Sequence, residues 1–415
     1  MRKPIYKSRP VEPNPAKFGG ERLNDFIILS EAFSNSYLIE TPAGNIQLNT
    51  GMGLEAPVID ANFKKFSDQN TRHIILTQGH VDHVGGVAYF RRQYPEVQVI
   101  AHQESQEHQN YEQRITEFRN RRSAFAFEQK FADIFHYYQE NGYTDFEPQD
   151  QPTPDVLVGD KHQFTLGGLE VEVIALAGAE TNDSLIVWLP QHKICFTGNL
   201  FGCPFGHFPN LFTIRGDRYR DPLVVANAVK TVQELEPETI MYGHHAPIYG
   251  KAVIAEELGA LHGAIMYVHD AVVAGMNAGK QVHELQAEIH LPPEFEVGQG
   301  YGQVSWGVRA IWEYYVGWFY HRSTTELYHV PQQAIHADLV EMAGGVDAVL
   351  AKAQEKTAQG AREAAIHFLD LLASAGIESP QARQLYVDIH EILLAEADNF
   401  WLENWLSYQI RQNSK

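Results

Sequence analysis

The chain of 415 residues is longer than one compact core usually needs, so it predicts two domains. Its 32 lysines and arginines against 52 aspartates and glutamates give a net charge of −20, which argues against nucleic acid or an anionic membrane as the main partner. No run of 18 apolar residues occurs, so no membrane insertion is expected.

The start of the chain, MRKPIYKSRP, is basic but lacks the apolar core of a secretory signal. The two cysteines, Cys195 and Cys203, are too few for a disulfide framework, so inert thiols are expected. Together these features predict a cytoplasmic protein.

Short runs rich in β-branched residues recur through the first 250 residues and predict strands. The predicted strands are 26–30, 36–40, 45–49, 73–77, 97–101, 169–176, 184–189, 193–197 and 239–242. The segment 222–236 predicts a helix. This mixture predicts an α/β domain over 1–250 with helices outside layered sheets.

A polar segment rich in phenylalanine and tyrosine, at about 103–145, interrupts the strand pattern and predicts a helical insertion. Its aromatic side chains either pack the insertion onto the domain or form an apolar wall or lid over a site. After residue 250 the strand pattern fades. Ile254, Leu258, Leu261 and Ile265 lie on one face of a helix, and 251–415 is predicted to be all-helical.

The stretch T-Q-G-H-V-D-H-V-G-G at 77–86 follows a predicted strand and carries His80, Asp82 and His83. Imidazole nitrogens and a carboxylate suit zinc, manganese or iron. Three further polar residues follow other predicted strands in glycine-bearing loops: Glu180, Asn199 and His244. Because strand ends position loop residues rigidly, these side chains predict one metal centre.

In these motifs the chain resembles the metallo-β-lactamase superfamily and, within it, the alkylsulfatases. The resemblance rests on T-x-x-H-x-D-H-x-G-G at 77–86, G-A-E at 178–180 and N-L-F-T-I-R-G at 210–216, together with 302–319, which is similar to the start of the alkylsulfatase dimerisation domain. It implies an αββα sandwich over 1–250 and a helical domain over 251–415 that forms a homodimer. Within these 415 residues we do not expect the sterol-carrier-like third domain of the full-length enzymes.

The resemblance also implies two metal sites, one of Asp82, His83 and His244 and another of His80 and Glu180. Gln78 replaces the family's first histidine and is a weak candidate ligand, while Gly198 replaces a metal-binding glutamate. Zinc is expected, as one or two ions, with manganese or iron as alternatives. A single ion between the sites, or Glu180 as a residue that orients a histidine, remains open.

For the substrate, Arg215 matches the arginine that contacts sulfate in the family, and Arg220 and Asn199 are weaker candidates. Arg215 and its neighbouring arginines can alternatively pair with nearby aspartates. His207 is a weak catalytic candidate beside Asp82, because it can replace a lost ligand or protonate a leaving group.

The function that the resemblance implies is metal-dependent hydrolysis of a small anionic ester, an alkyl sulfate, by metal-bound hydroxide. One alternative is a hydrolase retuned to another ester, a lactone or a phosphoester. Another is a non-catalytic dimeric binding protein with a degenerate metal site.

Overall fold

The computed structural model describes residues 4–6, 16–144 and 146–414. The chain divides into two compact units, Met1–Tyr314 and Tyr315–Lys415. The first unit contains two β-sheets and their covering helices, and the second unit is helical.

The first sheet has seven strands in chain order. Strands β1 to β4 pair antiparallel, and β4 to β7 pair parallel. Its strands are β1 (Glu21–Arg22), β2 (Ile27–Ser30), β3 (Ser36–Ile39), β4 (Asn45–Leu48), β5 (Thr71–Ile75), β6 (Gln98–His102) and β7 (Val156–Val158).

The second sheet has six strands in the order β13-β12-β11-β10-β9-β8, antiparallel except for the pair β11 and β12. Its strands are β8 (Lys161–Leu166), β9 (Leu169–Ala175), β10 (Leu185–Leu189), β11 (Ile194–Gly198), β12 (Thr239–Tyr242) and β13 (Ile248–Tyr249).

The helices of the described residues are, in chain order, α1 (Ala56–Lys64), α2 (Val81–Val84), α3 (Val87–Gln93), α4 (Ser105–Arg114), α5 (Thr116–Glu140), α6 (Pro222–Glu234), α7 (Lys251–Asn277), α8 (Val282–Glu288), α9 (Val304–Val316), α10 (His336–Met342), α11 (Val346–Ala358), α12 (Arg362–Ser374), α13 (Pro380–Glu396) and α14 (Phe400–Asn413). None of them is long and apolar enough to cross a membrane.

Alternate residues of the first sheet face two different cores, as the two-residue period of a strand requires. Ile27 and Leu29 join side chains of the second sheet, such as Val173 and Val187, in one buried cluster. Ile28, between them, belongs to a cluster with residues of α1, α3 and α5. The two sheets therefore pack face to face with helices outside, and the predicted αββα fold class is confirmed.

The predicted strands lie within about two residues of observed ones, as 73–77 does for β5. Sequence reasoning missed the edge strand β8, whose residues alternate only between exposed and half-buried positions. The segment 103–145 contains α4 and α5, a pair of helices between β6 and β7. The helix after residue 250, α7, packs on α6 and β12, so the first compact unit continues beyond the predicted domain boundary at 250.

In the second unit, α10 to α13 bury a core of their own. Ser379 and Asn399 cap α13 and α14 by accepting hydrogen bonds from backbone N–H groups of the first turn. These caps satisfy N–H groups that have no partner within the helix.

Candidate metal centre

The loop after β5 carries the first predicted ligands into the protein interior. His80 immediately precedes the short helix α2, which contains Asp82 and His83. All three side chains are buried. Upstream, Thr77 donates through both its backbone N–H and its hydroxyl to Asn49 Oδ1, at 2.9 and 3.1 Å, which fixes the start of the loop.

The loop after β12 adds His244, and the structure brings Asp82, His83 and His244 together as the Asp82 cluster. Potential ligand atoms of the three residues all lie within 4.8 Å of one another. Oδ2 of Asp82 is 3.6 Å from Nε2 of His83 and 3.8 Å from Nε2 of His244. These distances are too long for hydrogen bonds, so the three atoms converge without bonding one another.

Outer contacts orient both imidazoles of the Asp82 cluster. Nδ1 of His244 donates to the backbone oxygen of Phe33 at 2.7 Å, which turns its Nε2 lone pair toward Asp82. Ser34 Oγ lies 3.2 Å from Nδ1 and 3.3 Å from Nε2 of His83, and Thr77 Oγ1 lies 3.4 Å from Nδ1. These hydroxyl groups hold the ring of His83 in place, as the outer partners of metal-binding histidines do.

Electrostatics gives the Asp82 cluster the protonation state that a metal needs. Burial lowers the pKa of His244 to about 4 and that of His83 below its ordinary value. Burial by itself raises the pKa of Asp82, but the imidazoles of His83 and His244 outweigh it and hold that pKa below the ordinary value. At neutral pH the cluster therefore offers two neutral nitrogens and one carboxylate.

A second group of potential ligands, the His80 cluster, consists of His80, His108 and Glu112. Their ligand atoms also lie within 4.8 Å of one another. His108 and Glu112 lie one turn apart on α4. Sequence reasoning missed both of them, because a His-x-x-x-Glu pair in a polar helix is common and only the packing of the insertion brings it to His80.

Gln78 lies beside His80 and contacts its ring. The amide nitrogen of Gln78 is 2.7 Å from Nδ1 of His80. This contact places Gln78 where it can orient His80, and its predicted role as a weak metal ligand stays a prediction.

Glu180 pairs with Arg220. The guanidinium of Arg220 donates through Nη2 to Glu180 Oε1 at 3.0 Å and through Nε to the Glu180 backbone oxygen at 2.7 Å. Burial raises the pKa of Glu180 in spite of this positive charge. Among the described residues, Glu180 belongs to neither group of potential ligands, and Arg220 is committed to holding it.

Arg215 follows the loop 210–214 and is held by the insertion. Arg122 of α5 donates to the backbone oxygens of Ile214 and Arg215 at 2.7 and 2.9 Å. The guanidinium of Arg215 lies 6.0 Å from the ring centre of Phe127, and its buried Nε has no hydrogen-bond partner in the part of the chain that the structure describes.

Asp217, the aspartate nearest Arg215 in the sequence, forms ion pairs with Arg119 and Arg220. Oδ2 of Asp217 lies 3.7 Å from Arg119 and 4.0 Å from Arg220. Burial works to raise the pKa of Asp217, but His80 and the two guanidinium groups hold it well below the ordinary value. The alternative of an internal salt bridge thus applies to Arg220 and leaves Arg215 available for a ligand.

His207 lies in a structural contact. Its Nε2 donates to the Tyr6 backbone oxygen at 2.8 Å, and its Nδ1 accepts from the Gly300 N–H at 3.0 Å. Because both ring nitrogens are engaged, the hydrogen bonds argue against the predicted role as a replacement ligand or proton donor.

The loop after β11 contains Gly198 and Asn199. Oδ1 of Asn199 is buried and has no hydrogen-bond partner among the described residues. Gly198 has φ of +53°, and a Cβ there would lie 2.4 Å from Thr77 Oγ1. The position that corresponds to the family's second glutamate is therefore closed to a side chain.

Comparisons with known proteins agree with this geometry. Residues 29–244 match the Metallo-beta-lactamase superfamily, which is more than half of the chain. The chain belongs to the metallo-β-lactamase superfamily. Residues 281–412 match the alkyl sulfatase dimerisation family.

Similar proteins of this superfamily are alkylsulfatases. A linear primary-alkylsulfatase of Pseudomonas sp. is 26% identical over 337 residues, which cover 78% of this chain and 63% of that protein. An alkyl/aryl-sulfatase of Saccharomyces cerevisiae is 25% identical over 360 residues, 82% of this chain and 55% of that protein. The chain thus spans somewhat over half the length of these relatives.

A solved structure has the same fold. The stereoselective inverting sec-alkylsulfatase Pisa1 from Pseudomonas sp. matches with a TM-score of 0.81 at 20% identity, covering 95% of this chain and 66% of that chain. At this identity the match supports the fold, and the predicted relationship to alkylsulfatases is confirmed by the sequence matches.

Proposed function

We propose that the protein hydrolyses alkyl sulfate esters with the help of a divalent cation, zinc by preference, held by Asp82, His83 and His244. The observation that carries the proposal is the Asp82 cluster itself, in which a carboxylate and two neutral imidazoles converge without bonding one another. This donor set fits a divalent cation and leaves positions for other ligands. A cation bound there would supply Lewis-acid activation of water and of a substrate oxygen.

Arg215 supports sulfate as the anionic head group. Arg122 holds its backbone, and the Nε of its guanidinium has no hydrogen-bond partner among the described residues. A planar guanidinium binds two oxygens of a tetrahedral anion and carries its charge at every physiological pH.

An aromatic surface formed by Phe33, Phe127 and Phe131 supports an alkyl chain as the other part of the substrate. Phe127 lies under Arg215, Phe131 is 6.1 Å from Phe127, and Phe33 is 5.8 Å from Phe131 and 6.5 Å from the His244 ring. This surface thus runs between the anion-binding arginine and the Asp82 cluster. Phe131 is 40% exposed, so a chain packed on it would remove apolar area from water.

Sulfate release from dodecyl sulfate by zinc-loaded protein tests the proposal. Wild type is expected to release sulfate, and Asp82→Asn, which removes the only carboxylate of the Asp82 cluster, is expected to lose that activity. His136→Ala is a control, since His136 lies in an exposed pair with Glu140 on α5. A metal-loaded wild type that releases no sulfate from short, medium or long alkyl sulfates would refute the proposal.

The second candidate is a hydrolase retuned to another ester, a lactone or a phosphoester. The orienting position of Gln78 and the closed space at Gly198 favour it, because the surroundings of the metal differ from those that the resemblance implies. Turnover of one of those substrates, with none of alkyl sulfates, would select it. Absence of turnover on the whole panel would select a binding protein.

We also propose that the chain forms a homodimer through 251–415. The match of 281–412 to the dimerisation family supports this, as do strongly exposed apolar side chains such as Trp318, Tyr328 and Met342. Light scattering should give twice the chain mass, and a monomer at micromolar concentration would contradict it. The cytoplasmic location stays a prediction.

A further inference from the structure

The insertion places two unsatisfied imidazole nitrogens next to each other. Nε2 of His80 and Nε2 of His108 are both buried and have no hydrogen-bond partner within the described part of the chain. His80 is 8% exposed and His108 is 2% exposed, and their ring centres are 5.4 Å apart. Leaving a polar atom buried without a partner costs about 1–3 kcal/mol, so a pair of such atoms facing one space indicates a ligand.

Each of these rings is oriented through its other nitrogen. His108 Nδ1 is 2.8 Å from Asn182 Oδ1, and since an amide oxygen can only accept, Nδ1 carries the proton and Nε2 presents a lone pair. In the orientation that the structure gives, the amide nitrogen of Gln78 donates to Nδ1 of His80 at 2.7 Å. A half-turn of its amide exchanges nitrogen for oxygen, and the oxygen would hold the proton on Nδ1 and free Nε2 of His80.

Two carboxylates lie close to the unsatisfied nitrogens of His80 and His108 and supply negative charge there. An oxygen of Glu112 lies 3.7 Å from Nε2 of His108, and Glu112 also pairs with Arg119. Oδ2 of Asp217 lies 3.9 Å from Nε2 of His80 and, like the two ring nitrogens, has no hydrogen-bond partner among the described residues.

The close approach of α4 to the motif loop depends on glycine. A Cβ at Gly79 would lie 2.6 Å from Cδ2 of His108, so only glycine between Gln78 and His80 admits the His108 ring without a shift. The His80 cluster is therefore built by tight packing of the insertion on the motif and does not depend on mobile surface chains.

We propose that His80, His108 and Glu112 hold a second divalent cation, with the insertion helix α4 supplying two of the three ligands and Gln78 orienting the third. This ligand set differs from the one that the sequence predicted, because among the described residues Glu112, and not Glu180, has a carboxylate oxygen that converges with the imidazole nitrogens. The inference rests on the proposed function only in treating the Asp82 cluster as the first metal centre, and it requires no particular substrate.

Metal content per chain, measured by elemental analysis after dialysis against zinc, tests the inference, with cobalt(II) titration followed by visible absorption as a second readout. Wild type is expected to hold about two ions and His108→Asn about one. Asparagine retains an amide in reach of Asn182 but has no atom in the place of Nε2. Glu112→Gln, a milder variant, should weaken the second cobalt step and guards against misfolding of the first variant.

The double variant His136→Ala, Glu140→Gln is a matched control. His136 and Glu140 have the same spacing on α5, with 3.1 Å between Nε2 and Oε1, but are 70% and 64% exposed. This control should keep the wild-type metal content. One ion per chain in the wild type, or the same content and cobalt spectrum in His108→Asn and wild type, would overturn the inference.

The two proposals fail separately. Two ions per chain without sulfate release would refute the proposed function and leave the second cation in place. Sulfate release by a protein that holds one ion, bound by the Asp82 cluster, would refute the second cation and leave the proposed function in place.

Discussion

A substitution at Gly198 tests whether the family's glutamate can be restored at this position. Alanine at φ of +53° adopts a left-handed conformation, which costs about 1–2 kcal/mol for a residue with a Cβ. That Cβ would also lie 2.4 Å from Oγ1 and 2.8 Å from Cβ of Thr77. Thr77 cannot move away freely, because Asn49 holds both its N–H and its hydroxyl.

Overpacking of this kind costs about 1–3 kcal/mol, so Gly198→Ala should lower the free energy of unfolding by about 2–5 kcal/mol in total. Gly202→Ala is the matched control, since Gly202 lies in the same loop at φ of +83° and nothing lies within 4 Å of its added Cβ. The control should show only the backbone cost of about 1–2 kcal/mol.

Urea unfolding of the metal-free protein, followed by hydrogen exchange of peptides from β5 and β11, measures this difference in the first compact unit alone. Removing the metal keeps ligand binding out of the comparison. Equal destabilisation by the two substitutions would refute the reasoning, because it would mean that Thr77 does not close the space. If the difference is found, Gly198→Glu cannot supply a metal ligand without displacing the motif loop.

Three other predictions concern the substrate and pH. Arg215→Met should lower kcat/KM for dodecyl sulfate by about 10- to 150-fold, because it removes a charge-assisted hydrogen bond worth about 1.5–3 kcal/mol. Arg218→Met, the control, removes only an exposed partner of Glu107 and should change kcat/KM less than about threefold. Phe131→Ala should raise KM for dodecyl sulfate more than for hexyl sulfate, and an equal effect on both would remove the aromatic surface from the substrate site. Glu55→Gln should flatten the pH dependence of stability. Burial raises the pKa of Glu55 to about 7 from 4.5, so the free energy of unfolding of the wild type falls by up to about 3 kcal/mol as the pH rises through that range. Urea midpoints of both proteins at pH 5 and pH 8 measure this loss.

The sheets and the Asp82 cluster were predictable because local patterns determine them. Runs of β-branched residues predict β5 and β12, and glycine-bearing loops at the ends of these strands carry Asp82, His83 and His244. A strand end fixes where the next few residues lie, so metal-binding residue types directly after two strands of facing sheets can be expected to meet.

The remainder of the site depends on contacts between distant segments, which one sequence does not show. Glu180 and Arg220 are 40 residues apart, and nothing in either segment indicates that they pair. The sequence makes His207 a weak catalytic candidate, whereas in the structure its ring contacts Tyr6 and Gly300. In both cases the side chain contacts a distant partner that the sequence alone does not indicate.

The His80 cluster shows the opposite effect, in which distant packing adds candidate ligands. The sequence indicates only the aromatic side chains of the helical insertion, whereas in the structure its two helices contact different candidate residues. Helix α4 brings His108 and Glu112 to His80, while α5 brings Phe127 and holds the backbone beside Arg215.

Gln78 is consistent with this arrangement. A glutamine cannot replace an imidazole as a good zinc ligand, but its amide can orient a neighbouring imidazole that does bind. A centre that had only lost ligands would have little reason to keep His80 buried with its Nε2 facing a second unsatisfied imidazole. The arrangement of Gln78, His80 and His108 therefore favours a metal centre whose second site has been rebuilt by the insertion over one that has decayed.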